Sequence, residues 1–406
     1  MKIAIINTTF QQGSIGKIVN HFYHNAKNDG HEVKLFYGRD HAKTQDTDII
    51  NFAKKCEIYL HAILARLTGL EGSFSFFSTK RLIKQLNNFS PDLIFIGSLL
   101  GYYINEKYLF KYINSQNLLS LYCMMDEYSY MGKCCYPFEC EKFKANCGNC
   151  KEKKAYPPSW FFDTSRKKQK MKTLLYGNRK NIIFIGPKWV CERAKESSIL
   201  KNSIVHTVDE AIDLNHIFYP KDISTLRKEL KIPEDNKIIL NVCPVSDQRK
   251  GAEYYFNAIE LVENQHISFI QVGCDDKKHK YPDKLLKIGY IKNQDRLSEF
   301  YSLADVLVCS SLCDTMPNVC LEALACGTPI IGFNISGIPY VASEKYGTFI
   351  EPRNTRMLAE IMDKFPKKSE SRKQECRAYA IQRYSHHKFY TSIMNIVKEK
   401  RQNDSI

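Results

Sequence analysis

Short apolar runs alternate with amphipathic stretches along most of the chain. Residues 2–7 form the first apolar run, which is typical of a buried parallel strand, and a loop is predicted from there to Gly16. The helical pattern of residues 17–28 ends at Gly30, and residues 32–37 predict a second strand. These elements make a β-α-β unit, the module from which doubly wound sheets are built.

The same alternation continues to Phe333. The pattern predicts strands at residues 92–96, 118–124, 181–185, 237–242, 267–272 and 306–309, with helices at 251–263 and 294–302 and a last helix and strand ending at Phe333. We therefore expect an α/β protein of two Rossmann-like domains that face each other across a cleft. Their predicted limits are residues 1–215, with a cysteine-rich insertion at about 130–160, and residues 216–383.

Composition agrees with two folded domains. The chain has 406 residues, of which 44% are hydrophobic and 25% charged, values that are typical of globular proteins and not of disordered ones. No apolar run approaches the roughly 20 residues that a spanning helix needs, and the first residues become polar too early for a signal peptide. We expect a cytoplasmic protein, in which the fifteen cysteines are mostly reduced core residues.

The net charge of +15 predicts an anionic partner, which could be nucleic acid, an acidic membrane surface or a phosphorylated substrate. The sequence contains no zinc-finger, helix-turn-helix or aromatic RNA-binding motif, which argues against nucleic acid. Residues 54–70 place apolar side chains at helical spacing beside Lys54, Lys55 and Arg66. The favoured interpretation is ordinary packing inside the first domain, and the alternative is attachment to the inner face of a membrane.

The segment 311–333 combines a polar turn, a short helix and a buried strand. Thr315 or Asp314 is expected to cap the helix, Pro317 suits its first turn, and Gly327 suits its left-handed end. The free N–H groups at the start of such a helix favour binding of an anion, and a diphosphate is the ligand expected there. Glu322 lies one turn beyond Asn318, so its carboxylate could accept hydrogen bonds from ribose hydroxyls. The alternative is a packing helix with a solvated Glu322.

Two other segments are candidates for phosphate binding. Arg249 and Lys250 precede Gly251 between a predicted strand and helix, where an arginine fork and a flexible lysine would neutralise a diphosphate without metal. The alternative is a pair of solvated charges. The predicted loop that contains Gly13, Ser14 and Gly16 would let the backbone approach a phosphate or sugar, although an ordinary tight turn also explains these residues.

Cys134, Cys140, Cys147 and Cys150 lie in a segment with little regular pattern. Four thiolates satisfy tetrahedral zinc, and a loop with few apolar residues would be fixed by the metal, so a structural zinc site is predicted, with Cys135 as a substitute ligand. Two labile disulfides or four unbound thiols are the alternatives.

The acids Asp314 and Glu322, separated by seven residues and followed by Ala-Leu-Ala-Cys-Gly-Thr-Pro, resemble the signature of glycosyltransferase family 4. The resemblance implies the GT-B fold, in which a terminal helix, here within residues 384–406, returns to the N-terminal domain; a simple packing helix is the alternative. It implies that Glu322 holds the donor ribose and Asp314 faces the transferred sugar. The backbone of Thr315, Met316, Pro317 and Asn318 would meet the phosphates beside Arg249 and Lys250. Retention of configuration and metal-free catalysis are also implied.

The segment from Met125 to Trp160 resembles a subgroup of capsule and exopolysaccharide transferases of the colanic-acid type. Relatives often carry His-Asp where this chain has Met125 and Asp126, and a usually histidine-rich stretch here holds Phe95, Gly97 and Leu100. Asp126 therefore remains as the polar candidate for a catalytic role, with a supporting or capping role as the alternative.

The resulting expectation is a retaining transferase that moves a sugar from a nucleoside-diphosphate sugar to a lipid-linked or growing polysaccharide acceptor. The missing histidines motivate the alternative of a catalytically degraded binding or scaffold protein with the same fold.

Overall fold

The computed structural model describes residues 1–39, 44–275 and 279–404, and the chain divides into two compact units. The N-terminal unit comprises Met1–Glu210 together with Phe389–Ile406, and the C-terminal unit comprises Ala211–Lys388. Each unit is built on one fully parallel β-sheet covered by helices, the arrangement expected when continuous apolar runs form the strands. The two Rossmann-like domains predicted from the sequence are confirmed.

The N-terminal sheet has seven strands in the order β3-β2-β1-β4-β5-β6-β7. The interior strand β1 pairs Ile3 with both Val33 and Leu93, and Ile3, Ile5 and Ile6 are fully buried because helices cover both faces. The strands are β1 (Lys2–Asn7), β2 (Glu32–Tyr37), β3 (Ile49–Asn51), β4 (Leu93–Ile96), β5 (Ser120–Cys123), β6 (Ile182–Gly186) and β7 (Ile204–Thr207).

Six helices accompany this sheet: α1 (Gly13–Asn28), α2 (Lys55–Thr68), α3 (Phe76–Phe89), α4 (Glu106–Ser115), α5 (Ser165–Tyr176) and α6 (Lys188–Glu196). The last helix of the chain begins in the C-terminal unit, and from Phe389 onward it belongs to the N-terminal unit. There Tyr390 packs against Phe22, with ring centroids 5.3 Å apart, which agrees with the predicted return of the terminal helix.

The C-terminal sheet has six strands in the order β10-β9-β8-β11-β12-β13. Its strands are β8 (Lys237–Val242), β9 (Ile267–Val272), β10 (Leu285–Ile288), β11 (Val306–Cys309), β12 (Ile330–Phe333) and β13 (Gly347–Ile350). Its helices are α7 (Ser224–Glu229), α8 (Ala252–Leu261), α9 (Gln294–Leu303), α10 (Asn318–Ala325), α11 (Thr355–Lys364) and α12 (Glu370–Tyr384), and α13 (His386–Asp404) follows.

Central elements match the sequence pattern more closely than edge elements do. Strands β8, β9 and β11 have the predicted limits, whereas the edge strands β3, β7, β10 and β13 and the helices α3 to α7, α11 and α12 were not predicted. Edge strands are short and only half covered, so they lack the continuous apolar run by which central parallel strands are recognised.

Helix α2 corrects the interpretation favoured for residues 54–70. Its buried side chains are His61, Ala62 and Ala65, whereas Tyr59, Leu60 and Ile63 are exposed. The small alanines face inward because they pack closely against Tyr102. The large apolar stripe therefore does not form part of the core.

Among the residues that the structure describes, no helix combines the length and the apolar character required to cross a bilayer.

Candidate functional site

The turn before α10 differs from the prediction in how the helix begins. Pro317 occupies the capping position, with φ −67° and ψ 113°, and its own side chain makes no capping hydrogen bond. Thr315 and Asp314 therefore lie upstream of the cap, because the extended backbone at Pro317 precedes the first helical residue. The capping position is therefore held by Pro317 rather than, as the sequence predicted, by Thr315 or Asp314. The left-handed end is confirmed, since Gly327 has φ +84°.

Arg249 and Lys250 lie directly against this turn. They form a short 3₁₀ helix whose Asp247 side chain accepts the Arg249 N–H, and the Arg249 carbonyl accepts the Leu312 N–H at 2.8 Å. The Arg249 guanidinium donates to the Cys313 carbonyl at 3.0 Å, and Lys250 Nζ lies 2.5 Å from Asp314 Oδ2. Arg249 and Lys250 thus form one cluster with two acids. These are Asp314, which lies 64 positions from Lys250 in the sequence, and Asp247, whose Oδ2 lies 3.0 Å from the Arg249 guanidinium.

Lys250 carries its charge in this cluster. Burial by itself would lower its pKa, but the Asp314 carboxylate opposes that effect and the pKa ends above its ordinary value. The interpretation of solvated charges is excluded for Lys250, since its ammonium is held against an acid in a poorly solvated position.

Two glycines allow this close approach. At Gly251, where φ is +62°, an added Cβ would lie 2.2 Å from the Ser310 carbonyl oxygen. At Gly337 an added Cβ would lie 1.7 Å from the Thr315 carbonyl oxygen, and the Gly337 N–H donates to the Asp314 carbonyl at 2.8 Å. Gly337 was not predicted from the sequence, where its signal is that it follows another small residue, Ser336, shortly after an apolar strand.

Glu322 is buried on α10, so the alternative of a solvated glutamate is wrong. Tyr301 on α9 donates its hydroxyl to Glu322 Oε2 at 2.7 Å. Burial raises the pKa of Tyr301, and the adjacent carboxylate raises it further, so this hydroxyl remains a donor at any physiological pH. Tyr301 therefore fixes the orientation of the carboxylate. It was not singled out in the sequence because a tyrosine in a helical pattern looks like any core residue.

The Gly13 to Gly16 segment is not a loop. These residues form the first turn of α1, which starts at Gly13 rather than at Lys17. Gly16 is buried, and an added Cβ there would lie 2.9 Å from Thr9 Oγ1, so tight packing explains this glycine. Ser14 is exposed on the same turn. The predicted open loop is wrong because the helix extends one turn further toward β1.

Asp126 follows β5 in the N-terminal unit. Its Oδ1 accepts the Tyr128 N–H at 2.8 Å, and it lines a small hollow with Gly97 and Leu100. Burial raises the pKa of Asp126 to about 6. A carboxyl with a pKa raised toward neutrality is suited to proton transfer, and its bond to the Tyr128 N–H forms a local turn.

A buried polar centre in the N-terminal unit was not predicted at all. Lys168 Nζ lies 3.1 Å from Glu106 Oε2 and donates to the Glu71 carbonyl at 2.6 Å, and Tyr128 donates to Glu106 Oε1 at 2.6 Å. Burial raises the pKa of Glu71 to about 7 and lowers the pKa of Lys172, which donates to the Met131 carbonyl, to about 7. These residues are spread over about a hundred positions without a spacing pattern, so they could not be recognised from the sequence.

The four cysteines of the predicted zinc site line one cavity of about 470 Å³. Burial raises the pKa of Cys134 to about 12, and the other three sulfurs contribute to that rise, so the four thiols are neighbours. Cys135 lies elsewhere, packed with Leu100 and Tyr128. Within residues 1–39, 44–275 and 279–404, no group of three or more His, Cys, Asp or Glu side chains is placed to hold a metal ion. The thiols as placed do not form a ligand set.

Part of the chain is similar to known proteins. Residues 222–383 match the model of the family "Glycosyl transferases group 1". An uncharacterized glycosyltransferase of Methanocaldococcus jannaschii is 28% identical over 34% of this chain and 38% of its own length. An uncharacterized 41.2 kDa protein in the cps region of Klebsiella pneumoniae is 26% identical over 61% of this chain and 71% of its own length. The chain spans about two fifths of the length of most curated relatives that it matches.

A solved structure is similar over both units. HepE of Anabaena, determined in complex with UDP, superposes with a TM-score of 0.66 over 98% of this chain and 100% of that chain, at 12% identity. At this level of sequence identity the similarity concerns the fold alone. The similar fold includes both the N-terminal and the C-terminal unit. Residues 222–383 are therefore similar to the glycosyl transferases group 1 family, and the two units together have the fold of the GT-B type.

Proposed function

We propose that this protein is a retaining glycosyltransferase that moves a sugar from a nucleoside-diphosphate sugar to a lipid-linked or growing polysaccharide acceptor. The observation that carries the proposal is the cluster of Arg249, Lys250 and Asp314 against the turn before α10, inside the group 1 domain. Two cations beside a helix N-terminus provide the field that a leaving diphosphate needs.

Each residue has a separate part in the proposed reaction. Glu322, oriented by Tyr301, accepts hydrogen bonds from the ribose hydroxyls of the donor. Arg249 and Lys250 take the diphosphate, whose oxygens compete with Asp314 for the Lys250 ammonium. Once Lys250 turns to the phosphate, the Asp314 carboxylate is released toward the transferred sugar, and the backbone of Thr315, Met316, Pro317 and Asn318 meets the phosphate oxygens.

The donor class is supported by chemistry and by likeness. A buried carboxylate and a cation pair match the two ends of a nucleoside diphosphate, and HepE was determined with UDP. The proposal of a polysaccharide acceptor rests on the resemblance of residues 125–160 to capsule and exopolysaccharide transferases and on the similar protein from a cps region. Asp126, whose pKa burial raises to about 6, is proposed as the acid or base in the N-terminal unit.

The direct test is donor binding measured by calorimetry, after nucleotide sugars have been screened by thermal shift. Glu322→Gln should weaken binding of the best donor about tenfold to a hundredfold, because it removes a charged hydrogen bond worth roughly 1.5–3 kcal/mol. Glu360→Gln, an exposed substitution on α11 of the same unit, is the control. Equal affinity in the Glu322→Gln variant would overturn the ribose assignment.

The alternative of a catalytically degraded binding protein predicts the same donor affinity without turnover. It is favoured by the absence of the family's histidines around Asp126 and by the bond that already ties Asp126 to Tyr128. Release of nucleoside diphosphate in the presence of a lipid-linked acceptor would exclude it. If release is unchanged in Asp126→Asn, the catalytic assignment of that residue fails while the transferase proposal stands.

The cofactor part of the proposal is that catalysis needs no metal and that the four-cysteine segment takes a structural zinc. The shared cavity supports it, but the four sulfurs would have to draw together around the ion. Elemental analysis of anaerobically purified protein tests it, and less than about half a zinc per chain would count against it. Cys134→Ser should lose the metal, whereas the exposed Cys56→Ser should retain it.

A further inference from the structure

Eight exposed apolar side chains of the N-terminal unit come from three neighbouring segments, which we call the aromatic surface. Helix α2 contributes side chains that are 69% (Tyr59), 57% (Leu60) and 52% (Ile63) exposed. The start of α3 adds Phe76 and Phe77, of which Phe77 is 70% exposed, and the loop before α5 adds Trp160, Phe161 and Phe162, at 51%, 62% and 62%. Such a concentration of large exposed apolar groups is uncommon on a protein that has no partner for them.

Hydrogen bonds hold the three segments together. The Glu57 carboxylate of α2 accepts the N–H groups of Phe77 and Ser78 at 2.8 and 3.0 Å. At the other end of α2, the Arg66 carbonyl accepts the Trp160 N–H at 2.7 Å, and the Gly69 carbonyl accepts the Thr164 hydroxyl at 2.5 Å. The aromatic residues at both ends of α2 are therefore fixed in position by contacts to their backbones, while their rings stay in solvent.

The polar groups around the aromatic surface are mainly positive. Residues 54–68 and 76–89 contain one acid, Glu57, against six basic side chains: Lys54, Lys55, Arg66, Lys80, Arg81 and Lys84. The Glu57 carboxylate already accepts hydrogen bonds from backbone N–H groups of α3 and lies 3.4 Å from the Arg81 guanidinium. Lys54, Lys55, Lys80 and Lys84 are exposed. The third segment adds the exposed acid Asp163 beside Phe162, so basic side chains outnumber acids around the aromatic surface and an anionic partner would meet mainly positive charge.

The start of α2 carries an electrostatic cost that an anionic partner would relieve. Lys54 and Lys55 are the capping and first residues of the helix, where the positive end of the helix dipole disfavours a cation. A negatively charged surface placed there interacts favourably with both lysines and with the dipole. Tyrosine, tryptophan and phenylalanine are also the side chains that settle at the boundary between lipid headgroups and acyl chains.

We propose that the aromatic surface docks the protein onto a lipid bilayer that contains anionic headgroups. The apolar side chains of α2 and the two aromatic segments enter the headgroup boundary, and the lysines contact the negative lipids. Docking of this kind requires no spanning helix and does not depend on the sugar-transfer reaction.

Vesicle flotation tests the proposal with the full-length protein. The wild type should bind to and float with vesicles of phosphatidylcholine that contain about one third phosphatidylglycerol. The amount bound to pure phosphatidylcholine vesicles should be at least about tenfold lower. Raising the salt from about 0.1 M to about 1 M should reduce but not abolish binding, because screening acts on the lysines and leaves the apolar contribution. Equal binding to both vesicle types would overturn the electrostatic part of the proposal.

Substitutions test whether vesicle binding depends on the aromatic surface or on nonspecific adsorption of the protein. The triple change Tyr59→Ser, Leu60→Ser and Ile63→Ser should reduce partitioning at least about tenfold, and Phe161→Ser with Phe162→Ser should act in the same direction. The control is Tyr290→Ser, which removes a side chain that is 75% exposed in the C-terminal unit and should change nothing. If the triple variant floats like the wild type, the proposal is wrong.

Two further measurements identify a different occupant. Light scattering that shows a dimer in the wild type and a monomer in the triple variant would assign the aromatic surface to a second copy of this chain and overturn the bilayer proposal. Thermal unfolding and donor affinity should be unchanged in all surface variants, since these side chains are exposed and belong to the N-terminal unit. Failure of membrane binding with intact donor binding would leave the proposed function standing.

Discussion

The two units build their polar centres in different ways. In the C-terminal unit the proposed donor cluster comes from two short segments, at Arg249 and Lys250 and at Asp314 to Glu322, and each is a compact motif. In the N-terminal unit the buried centre joins Glu71, Glu106 and Lys168, each from a different part of the chain. A site made of compact motifs leaves a signature in the sequence, whereas one assembled by the fold leaves none.

The difference also concerns what the charges do. Lys168 and Glu106 are almost fully buried and satisfied by each other and by Tyr128 and Glu71, so their first effect is on stability. Lys250 and Asp314 remain partly accessible at the turn before α10, where a ligand's phosphate can exchange with the acid. We therefore expect variants of the first pair to change folding and variants of the second to change binding.

The largest expected effect is that of Lys168→Ala on the stability of the N-terminal unit. Removing one member of a buried pair leaves Glu106 as an unpaired charge and should lower the free energy of unfolding by about 3–5 kcal/mol. Both tryptophans, Trp160 and Trp189, lie in this unit, so tryptophan fluorescence during urea unfolding reports on it selectively. The exposed neighbour Lys170→Ala should cost less than about 0.5 kcal/mol.

If Lys168→Ala unfolds at the same urea concentration as Lys170→Ala, the pair has no structural importance. The comparison between a stability centre and a binding cluster would then fail on its N-terminal side.

The next effect is that of Lys250→Gln on donor binding. Loss of one phosphate contact to a charged group should weaken nucleotide-sugar affinity by about 1.5–3 kcal/mol, about tenfold to a hundredfold. Calorimetry measures it, with Lys228→Gln, an exposed lysine of α7, as the matched control. An equal loss in both variants would mean that net charge matters rather than the position of Lys250.

A smaller effect concerns pH. The pKa of Glu71 is about 7 in the folded protein and 4.5 ordinarily, so between these values the unfolded chain has released a proton that the folded chain keeps. Its contribution to stability is complete below pH 4.5 and is lost as the pH rises through 7. Glu71→Gln should therefore unfold with less dependence on pH in this window, by roughly 1–3 kcal/mol relative to wild type.

The amide of that glutamine can still accept the N–H groups of Gly101 and Tyr102, which now bond to Glu71 Oε1, so the variant is expected to fold. Parallel pH profiles for wild type and variant would show that Glu71 titrates normally. Lys172, with its lowered pKa, acts in the opposite direction and only above about pH 7, outside the window that tests Glu71.

The central strands of the two sheets could be predicted from the sequence, whereas the edge strands and some helix limits could not. Strands β8, β9 and β11 are continuous apolar runs with predicted limits, because a central parallel strand is buried on both faces. The start of α1 was misplaced by one turn because two glycines suggested a loop, although one of them is needed for packing against Thr9. In α2 the periodicity identified a helix, but not the side that faces the core.

The sequence by itself determined the alternation of strands and helices, the two-domain division and the motif that joins Asp314 to Glu322. These features depend on interactions between residues close in the chain, where apolar period and spacing are direct signals. The tertiary structure decided that Lys250 meets Asp314, that Tyr301 orients Glu322, that Lys168 and Glu106 are buried together, and that the apolar stripe of α2 faces outward. Such contacts join distant positions or choose between two faces of one helix, and packing across the whole unit settles them.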